Sequence, residues 1–158
     1  MKKQKGFSLI ELLIVVAIIL IIAAIAIPNL LRSRMAANES SAVGSLRTIN
    51  TAEVTYSTTY PSVGFASLTQ LGGVAATCAT TATSTLACLI DDTLATGTKS
   101  GYTFKATTSG TAPFVQYSAT GTPSVVGQSG QRSFFSDQSG VIRYDATGTP
   151  ATNASPAL

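Results

Sequence analysis

The longest apolar run of the chain lies close to its N-terminus. Residues 12–27 are 16 consecutive apolar residues, and the wider segment from Phe7 to Ile27 contains one ionisable side chain, that of Glu11. These 21 residues are enough for a helix that crosses a bilayer, which needs about 20. An ionised carboxylate inside such a helix costs at least ~2.5–3.5 kcal/mol, so the position of Glu11 indicates a functional role.

Hydrophobic positions continue at helical spacing after this run. Separations of three, four or seven residues place Ala42, Leu46, Ile49, Tyr56 and Tyr60 on one face of an amphipathic helix. We therefore predict a helix from Phe7 to about Tyr60, ended by Pro61 because the residue before a proline avoids the helical conformation. Pro28 lacks a backbone donor and predicts a kink within this helix.

The region after Pro61 is rich in Ser, Thr, Ala and Gly and carries few charges. Alternation of apolar and polar residues predicts four strands, at residues 102–107, 114–119, 133–136 and 141–144. The last two flank Asp137-Gln138-Ser139-Gly140, a composition typical of a hairpin turn. The predicted fold is α+β: a long N-terminal helix, transmembrane in its first half and amphipathic in its second, packed on a small antiparallel sheet of about four strands. We expect residues 147–158 to be frayed.

Charge and composition argue against several classes of function. The net charge is +3, but three of the ten basic residues (Lys2, Lys3 and Lys5) precede Gly6, and the remaining chain has seven Lys/Arg against seven Asp/Glu. Nucleic-acid binding is therefore not expected. The chain has no histidine, and it has no nucleotide-binding loop, so we predict that it is not an enzyme. Asp91-Asp92, or Asp137 with Asp145, is a weak calcium signal, and we assign no metal and no cofactor.

The sequence Lys5-Gly6-Phe7-Ser8-Leu9-Ile10-Glu11-Leu12 resembles the processing and polymerisation signature of type IV pilins and the related pseudopilins. The resemblance covers roughly residues 5–35. In that family a membrane peptidase cuts after the glycine and methylates the new amine. The resemblance therefore implies cleavage after Gly6, N-methylation of Phe7 and an assembly role for Glu11.

The residue patterns and this resemblance together predict an organisation for the whole chain. Residues 1–6 are a leader peptide, 7–28 a transmembrane and polymerisation helix, 29–60 its amphipathic continuation, and 61–158 a globular β-sheet head with a disulfide loop. Cleavage before Phe7 leaves a cationic amine about one helical turn from Glu11. Copies of the chain that pack side by side with a stagger of one turn can therefore pair these opposite charges.

The function implied is that of a structural subunit of a type IV pilus-like filament, with a major pilin as the preferred interpretation. The implied partners are further copies of the chain, the prepilin peptidase and methyltransferase, and an inner-membrane platform with its assembly ATPase. The precursor is expected to span the inner membrane once with its leader in the cytoplasm, and the mature subunit to reach the cell surface in a filament.

Three alternatives stay open. Within the same class, the chain is a minor pilin or a pseudopilin of a type II secretion system. A different class is a membrane-tethered binding domain or adhesin. The third is a secreted soluble protein, since Ala24-Ile25-Ala26 fits the small-residue pattern of an ordinary signal peptidase site and cleavage would follow Ala26.

The two cysteines, Cys78 and Cys88, are ten residues apart in the predicted head. A head that faces the periplasm or the exterior is in an oxidising compartment, where a disulfide is the expected state of such a pair. No histidine is present to complete a zinc site. We therefore predict a structural disulfide.

Overall fold

A computed structural model describes residues 6–73, 78 and 82–158. Residues 1–5, which hold most of the predicted leader, lie outside the described part, and so do residues 74–77 and 79–81 beside Cys78. The chain divides into two compact units between Arg34 and Met35, and each unit is described by itself below. The segment boundaries expected after residues 6, 28 and 60 stay predictions.

Helix α1 runs from Leu9 to Thr59 and is the longest element of the structure. Its bounds agree with the predicted helix to within two residues at each end. Pro28 lies inside the helix, and the kink expected there stays a prediction. At the C-terminal end, the N–H of Tyr60 still donates to the carbonyl oxygen of Tyr56 at 2.8 Å, and Pro61 follows directly. The helix therefore ends where proline chemistry requires it to end.

Among its described residues, the second unit shows two further short helices and one antiparallel sheet. Helix α2 is Leu68–Leu71 and helix α3 is Asp92–Ala95. The strands are β1 (Thr98–Lys99), β2 (Tyr102–Ser109), β3 (Gln116–Pro123), β4 (Ser133–Asp137) and β5 (Arg143–Asp145). They are hydrogen-bonded in sequence order, β1-β2-β3-β4-β5, and every neighbouring pair is antiparallel.

The predicted α+β architecture is confirmed, with five strands where about four were expected. Strand β1 has two residues, too few to show an alternating pattern. Strand β3 begins two residues later than predicted, because Phe114 forms a bridge with Gly64. Strands β4 and β5 form the hairpin expected around residues 137–140, with Phe134 opposite Tyr144.

The core of the second unit lies between α1 and the sheet. The buried stripe of α1 is the one that the sequence predicts, and Ala42, Leu46, Ile49 and Tyr56 are fully buried. It packs against rings from β2 and β4 and against residues of the two short helices, including Tyr102, Phe104, Phe134, Leu71 and Leu94. Gly121 of β3 marks a close approach: a Cβ there would lie 3.0 Å from the ring of Phe104. A side chain at this position would require the ring of Phe104 to shift.

The expectation of a frayed C-terminal tail is wrong. The N–H of Tyr144 donates to the carbonyl oxygen of Pro156 at 3.0 Å, and the N–H of Leu158 donates to that of Ile142 at 2.9 Å. Ala151 is buried, and its N–H donates to Ser133 Oγ at 3.0 Å. The tail covers the outer edge of β5, whose backbone groups would otherwise be unpaired. These contacts are made mostly by backbone atoms, which is why the composition of the tail gives no sign of them.

Glu39 joins α1 to the loop before β4. Its Oε1 accepts hydrogen bonds from the N–H groups of Gln131 (2.8 Å) and Arg132 (3.1 Å), and its Oε2 accepts one from Arg132 Nε (2.8 Å). Burial by itself raises the pKa of Glu39, but these hydrogen bonds and the nearby guanidinium outweigh it and hold the pKa below its usual value. No local sequence pattern marks Glu39, because a glutamate among helical polar residues is usually solvated.

We expect Glu39→Gln to lower the free energy of unfolding by about 1.5–3 kcal/mol at neutral pH, since hydrogen bonds to a charged group are lost. A carboxyl with a lowered pKa stabilises the fold above the ordinary pKa and loses that contribution as the pH falls through the folded-state value. The difference from the unchanged protein should therefore shrink in acid. Denaturant unfolding of the full chain in detergent, followed by tyrosine near-ultraviolet circular dichroism, measures it.

Lys99→Gln is the matched control. The Lys99–Asp91 pair, with Nζ 3.1 Å from Oδ1, is exposed on both sides and should contribute under ~1 kcal/mol. Equal losses in the two variants at neutral pH would contradict the role given to Glu39.

Candidate assembly segment

The large apolar side chains of the first unit are exposed. From Phe7 (87% exposed) to Val16 (44%) and on to Leu31 (50%), every leucine, isoleucine, valine and phenylalanine of this unit presents much of its surface to the outside. Within the described part of the chain, α1 is the one helix long and apolar enough to cross a membrane. An apolar surface of this size requires lipid or another protein as its surroundings.

Glu11 caps the start of α1. Its Oε2 accepts a hydrogen bond from the N–H of Ser8 at 2.9 Å, and the N–H of Leu12 donates to the carbonyl oxygen of Ser8 at 3.2 Å. Ser8 is thus the N-cap residue, and Glu11 supplies the glutamate half of a capping box. A negative charge in the first turn is also favoured by the helix dipole. This local role was not predicted, although the sequence pattern Ser8-x-x-Glu11 is its signal.

Gly6 and Phe7 directly precede this cap. Both are exposed and lie outside the helix, so the bond between them is accessible. A Cβ placed on Gly6 would meet no described atom within 4 Å. The fold of the chain therefore sets no steric requirement for glycine at this position. Gly6, Phe7 and Glu11 all lie at the N-terminal end of α1, and their roles in cleavage, methylation and assembly stay predictions.

Cys78 and Cys88 are joined by a disulfide. The segment around Cys88 lies along α2: the N–H of Ala87 donates to Gln70 and that of Leu89 to Leu71, each at 2.8 Å. A Cβ on Gly73 would lie 2.7 Å from both sulfur atoms. Glycine at this position thus allows the backbone after α2 to pass close to the disulfide.

The weak calcium signals do not form a site among the described residues. Asp91 accepts hydrogen bonds from the side chains of Thr93 and Lys99. Asp137 and Asp145 each cap their own turn, accepting the N–H of Ser139 at 2.9 Å and of Thr147 at 2.8 Å. No group of three or more acidic or cysteine side chains gathers within metal-binding reach in residues 6–73, 78 and 82–158.

Comparison with known proteins gives matches over parts of the chain. Residues 1–27 match the family described as "Prokaryotic N-terminal methylation motif". The chain is 62% identical over 40 residues to the type IV wide pilus major component PilA4 of Thermus thermophilus, covering 25% of this chain and 30% of that protein. It is 46% identical over 54 residues to the type IV major pilin protein PilA of Myxococcus xanthus, covering 34% of this chain and 24% of that protein.

The N-terminal segment is homologous to that of type IV major pilins. The chain aligns with less than a third of the length of these type IV pilins. No solved structure matches the chain significantly. The long apolar helix packed on an antiparallel sheet is consistent with the type IV pilin fold.

Replacing both cysteines of this pilin-like chain by serine should lower the free energy of unfolding by about 2–3 kcal/mol. The disulfide joins residues ten apart in sequence, and without it the unfolded chain gains conformational entropy. Denaturant unfolding of the full chain with and without a thiol reductant measures the effect. The reductant should lower the free energy of unfolding of the wild-type protein by a similar amount. It should have no effect on the double-serine variant. An unchanged protein that does not respond to complete reduction would contradict this role.

Proposed function

We propose that the chain is the structural subunit of a type IV pilus-like filament, assembled from a membrane-inserted precursor that is cleaved after Gly6. The observation that carries this proposal is a pilin-type N-terminal segment whose apolar helix surface is left exposed by the rest of its unit. Before assembly lipid covers this surface, and in the filament neighbouring copies cover it.

The geometry of a fibre follows from the kind of contact that such helices make. When the surface of one copy binds a different surface of the next, and the rotation does not close a ring, addition of copies continues indefinitely. Burial of apolar surface at ~25 cal/mol per Å² supplies the driving force without covalent chemistry by the subunit. The second unit, with its polar Ser- and Thr-rich surface, faces outward in this arrangement.

Glu11 sets the register between copies in this proposal. A carboxylate in a low-dielectric bundle must be neutralised, and the amine of a neighbouring Phe7, created by cleavage, is the available cation. The cap does not compete with this pairing, because a carboxylate has about four acceptor positions and Ser8 occupies one of them. Glu11 therefore holds its own helix start and receives the neighbour's amine at the same time.

The remaining roles are those of the assembly machinery. A prepilin peptidase and methyltransferase cleaves and methylates the precursor, and an inner-membrane platform with its ATPase extracts and adds the subunit. The precursor spans the inner membrane with its leader in the cytoplasm, and the product is extracellular. The names of the two relatives, both major pilus components, favour the major pilin over a minor pilin or a pseudopilin.

Gly6→Val should leave the precursor uncleaved in the membrane, because its extra side chain at the scissile bond blocks a peptidase that requires glycine. Intact mass of the membrane-extracted protein measures this directly. The unchanged protein should begin at Phe7 and carry one added methyl group.

Gly44→Ala is the matched control for this experiment. A Cβ at Gly44 meets no atom within 4 Å, and the residue lies in α1 far along the chain from the cut. Cleavage should be normal in this variant. A mature protein that begins at Ile27, or Gly6→Val protein that still begins at Phe7, would refute the assigned site.

Two substitutions of Glu11 separate its charge from its capping role. Glu11→Gln keeps an oxygen that can accept the N–H of Ser8 but loses the charge, whereas Glu11→Ala loses both. If the pair with Phe7 sets the register, both variants insert in the membrane and both give filament yields reduced at least about tenfold, since breaking a buried ion pair costs ~3–5 kcal/mol. Electron microscopy and immunoblotting of sheared surface material measure the yield.

Ser8→Ala is the matched control, because the capping hydrogen bond uses the backbone N–H of Ser8 and survives the change. Its filament yield should stay close to normal. Normal assembly of Glu11→Gln with failure of Glu11→Ala would assign the requirement to the cap and reject the charge pair.

A further inference from the structure

Glu53 is the most completely buried carboxyl of the second unit. It lies on the sheet-facing side of α1, and none of its surface is exposed. Its Oε2 accepts a hydrogen bond from the N–H of Ala66 at 2.9 Å, and its Oε1 receives none from any described residue. An ionised carboxylate here would therefore lack one of the donors that a buried charge requires.

No cation of the described residues pairs with Glu53. In the described part of the chain, the titratable groups that interact electrostatically with Glu53 are two tyrosines, Tyr56 on α1 itself and Tyr117 on β3. The segment of residues 61–67, which covers it, contains no titratable side chain. Burial without a countercharge raises the pKa of Glu53 from its usual 4.5 to about 7, although the hydrogen bond from Ala66 acts in the opposite direction. Both tyrosines have raised pKa values and stay neutral through this range.

The hydrogen bond of Glu53 holds the connection between α1 and α2, residues 61–67. Ala66 is fully buried in this connection. Beside it, Phe65 N–H donates to the carbonyl oxygen of Phe114 (2.9 Å), Phe114 N–H donates to that of Val63 (2.8 Å), and the Phe65 and Tyr117 rings have centroids 4.7 Å apart. The connection thus spans from α1 to the start of β3. Its release would expose Glu53 to water.

We propose that Glu53 is a proton-controlled latch that holds residues 61–67 against α1 when its carboxyl is protonated and releases them more readily when it is ionised. This inference concerns the second unit and is independent of the proposed function of the chain. The protonated carboxyl retains an oxygen that accepts the N–H of Ala66 and carries no uncompensated charge. In the released state, water solvates the carboxylate and restores its ordinary acidity.

The direction of the pH dependence follows from this difference. The closed state holds its proton up to about pH 7, whereas the open state loses it near 4.5. Rising pH therefore favours the open state between these two values, and the effect levels off above the upper one. The equilibrium constant for opening should increase about tenfold per pH unit within this window, and by on the order of 10²-fold in total.

Hydrogen exchange of the Ala66 amide tests the latch. The full chain in detergent micelles, isotopically labelled for NMR, is measured from about pH 5 to about pH 8, and each rate is divided by the intrinsic base-catalysed rate. The protection of Ala66 should fall about tenfold per pH unit up to about 7 and then become constant. Glu53→Gln retains an acceptor for Ala66 but does not titrate, so its protection should not vary with pH.

Glu39→Gln is the matched control. Glu39 is the other buried glutamate of α1 that accepts backbone N–H groups, but its pKa is lowered, so this change should leave the slope at Ala66 as it is in the unchanged protein. Two results would overturn the proposal. One is a protection factor of the Ala66 amide that changes less than about threefold between about pH 5 and about pH 8. The other is the same pH dependence of this protection factor in Glu53→Gln as in the wild-type protein. Should Glu53→Gln fail to fold, carboxyl-carbon NMR of the unchanged protein decides: a Glu53 midpoint near 4.5 overturns the latch and one near 7 supports it.

Discussion

The rest of the architecture depends on one constraint: the apolar surface at the start of α1 has no cover within its own unit. Side chains that are half exposed or more over successive turns are stable only in lipid or against other helices. Because these surroundings are apolar, the single carboxylate among these side chains, that of Glu11, needs a partner for its charge. Ser8 and Glu11 are the polar residues between Phe7 and Ile27, and Glu11 is the charged one. Its carboxylate accepts a hydrogen bond from the N–H of Ser8 in the first turn of the helix.

In the second unit, the apolar side chains of α1 are covered by other elements of the same unit. Its half of α1 has one apolar stripe, which the sheet and the two short helices cover, and polar side chains of that half anchor the loops of the head. Glu39 holds the loop before β4, Asn50 donates to Ser136 and accepts from Tyr117, and Glu53 holds the connection to α2. The head is therefore organised by hydrogen bonds that radiate from α1 as well as by its apolar core.

The parts of the fold that depend on the spacing of apolar residues, or on a conformation that proline excludes, could be predicted from the sequence. The helix bounds follow from the apolar run and Pro61, the buried stripe from its spacing of three and four, and the β4–β5 hairpin from its turn composition. Strand β1 and the ordered tail could not be predicted, because two residues show no alternation and the tail is held by backbone groups. The buried state of Glu39 and Glu53 depends on loops distant in sequence, so no local pattern reveals it, whereas the Ser8–Glu11 cap has a local signal.

Glu39 and Glu53 lie on one helix, yet they respond to protons in opposite senses. The contribution of Glu39 is lost as the solution becomes acidic, and that of Glu53 declines as it approaches neutrality from below. The combined contribution of these two carboxyls to the free energy of unfolding is therefore greatest near the ordinary glutamate pKa of 4.5. In the proposed latch, residues 61–67 are therefore held against α1 more firmly in acid than at neutral pH.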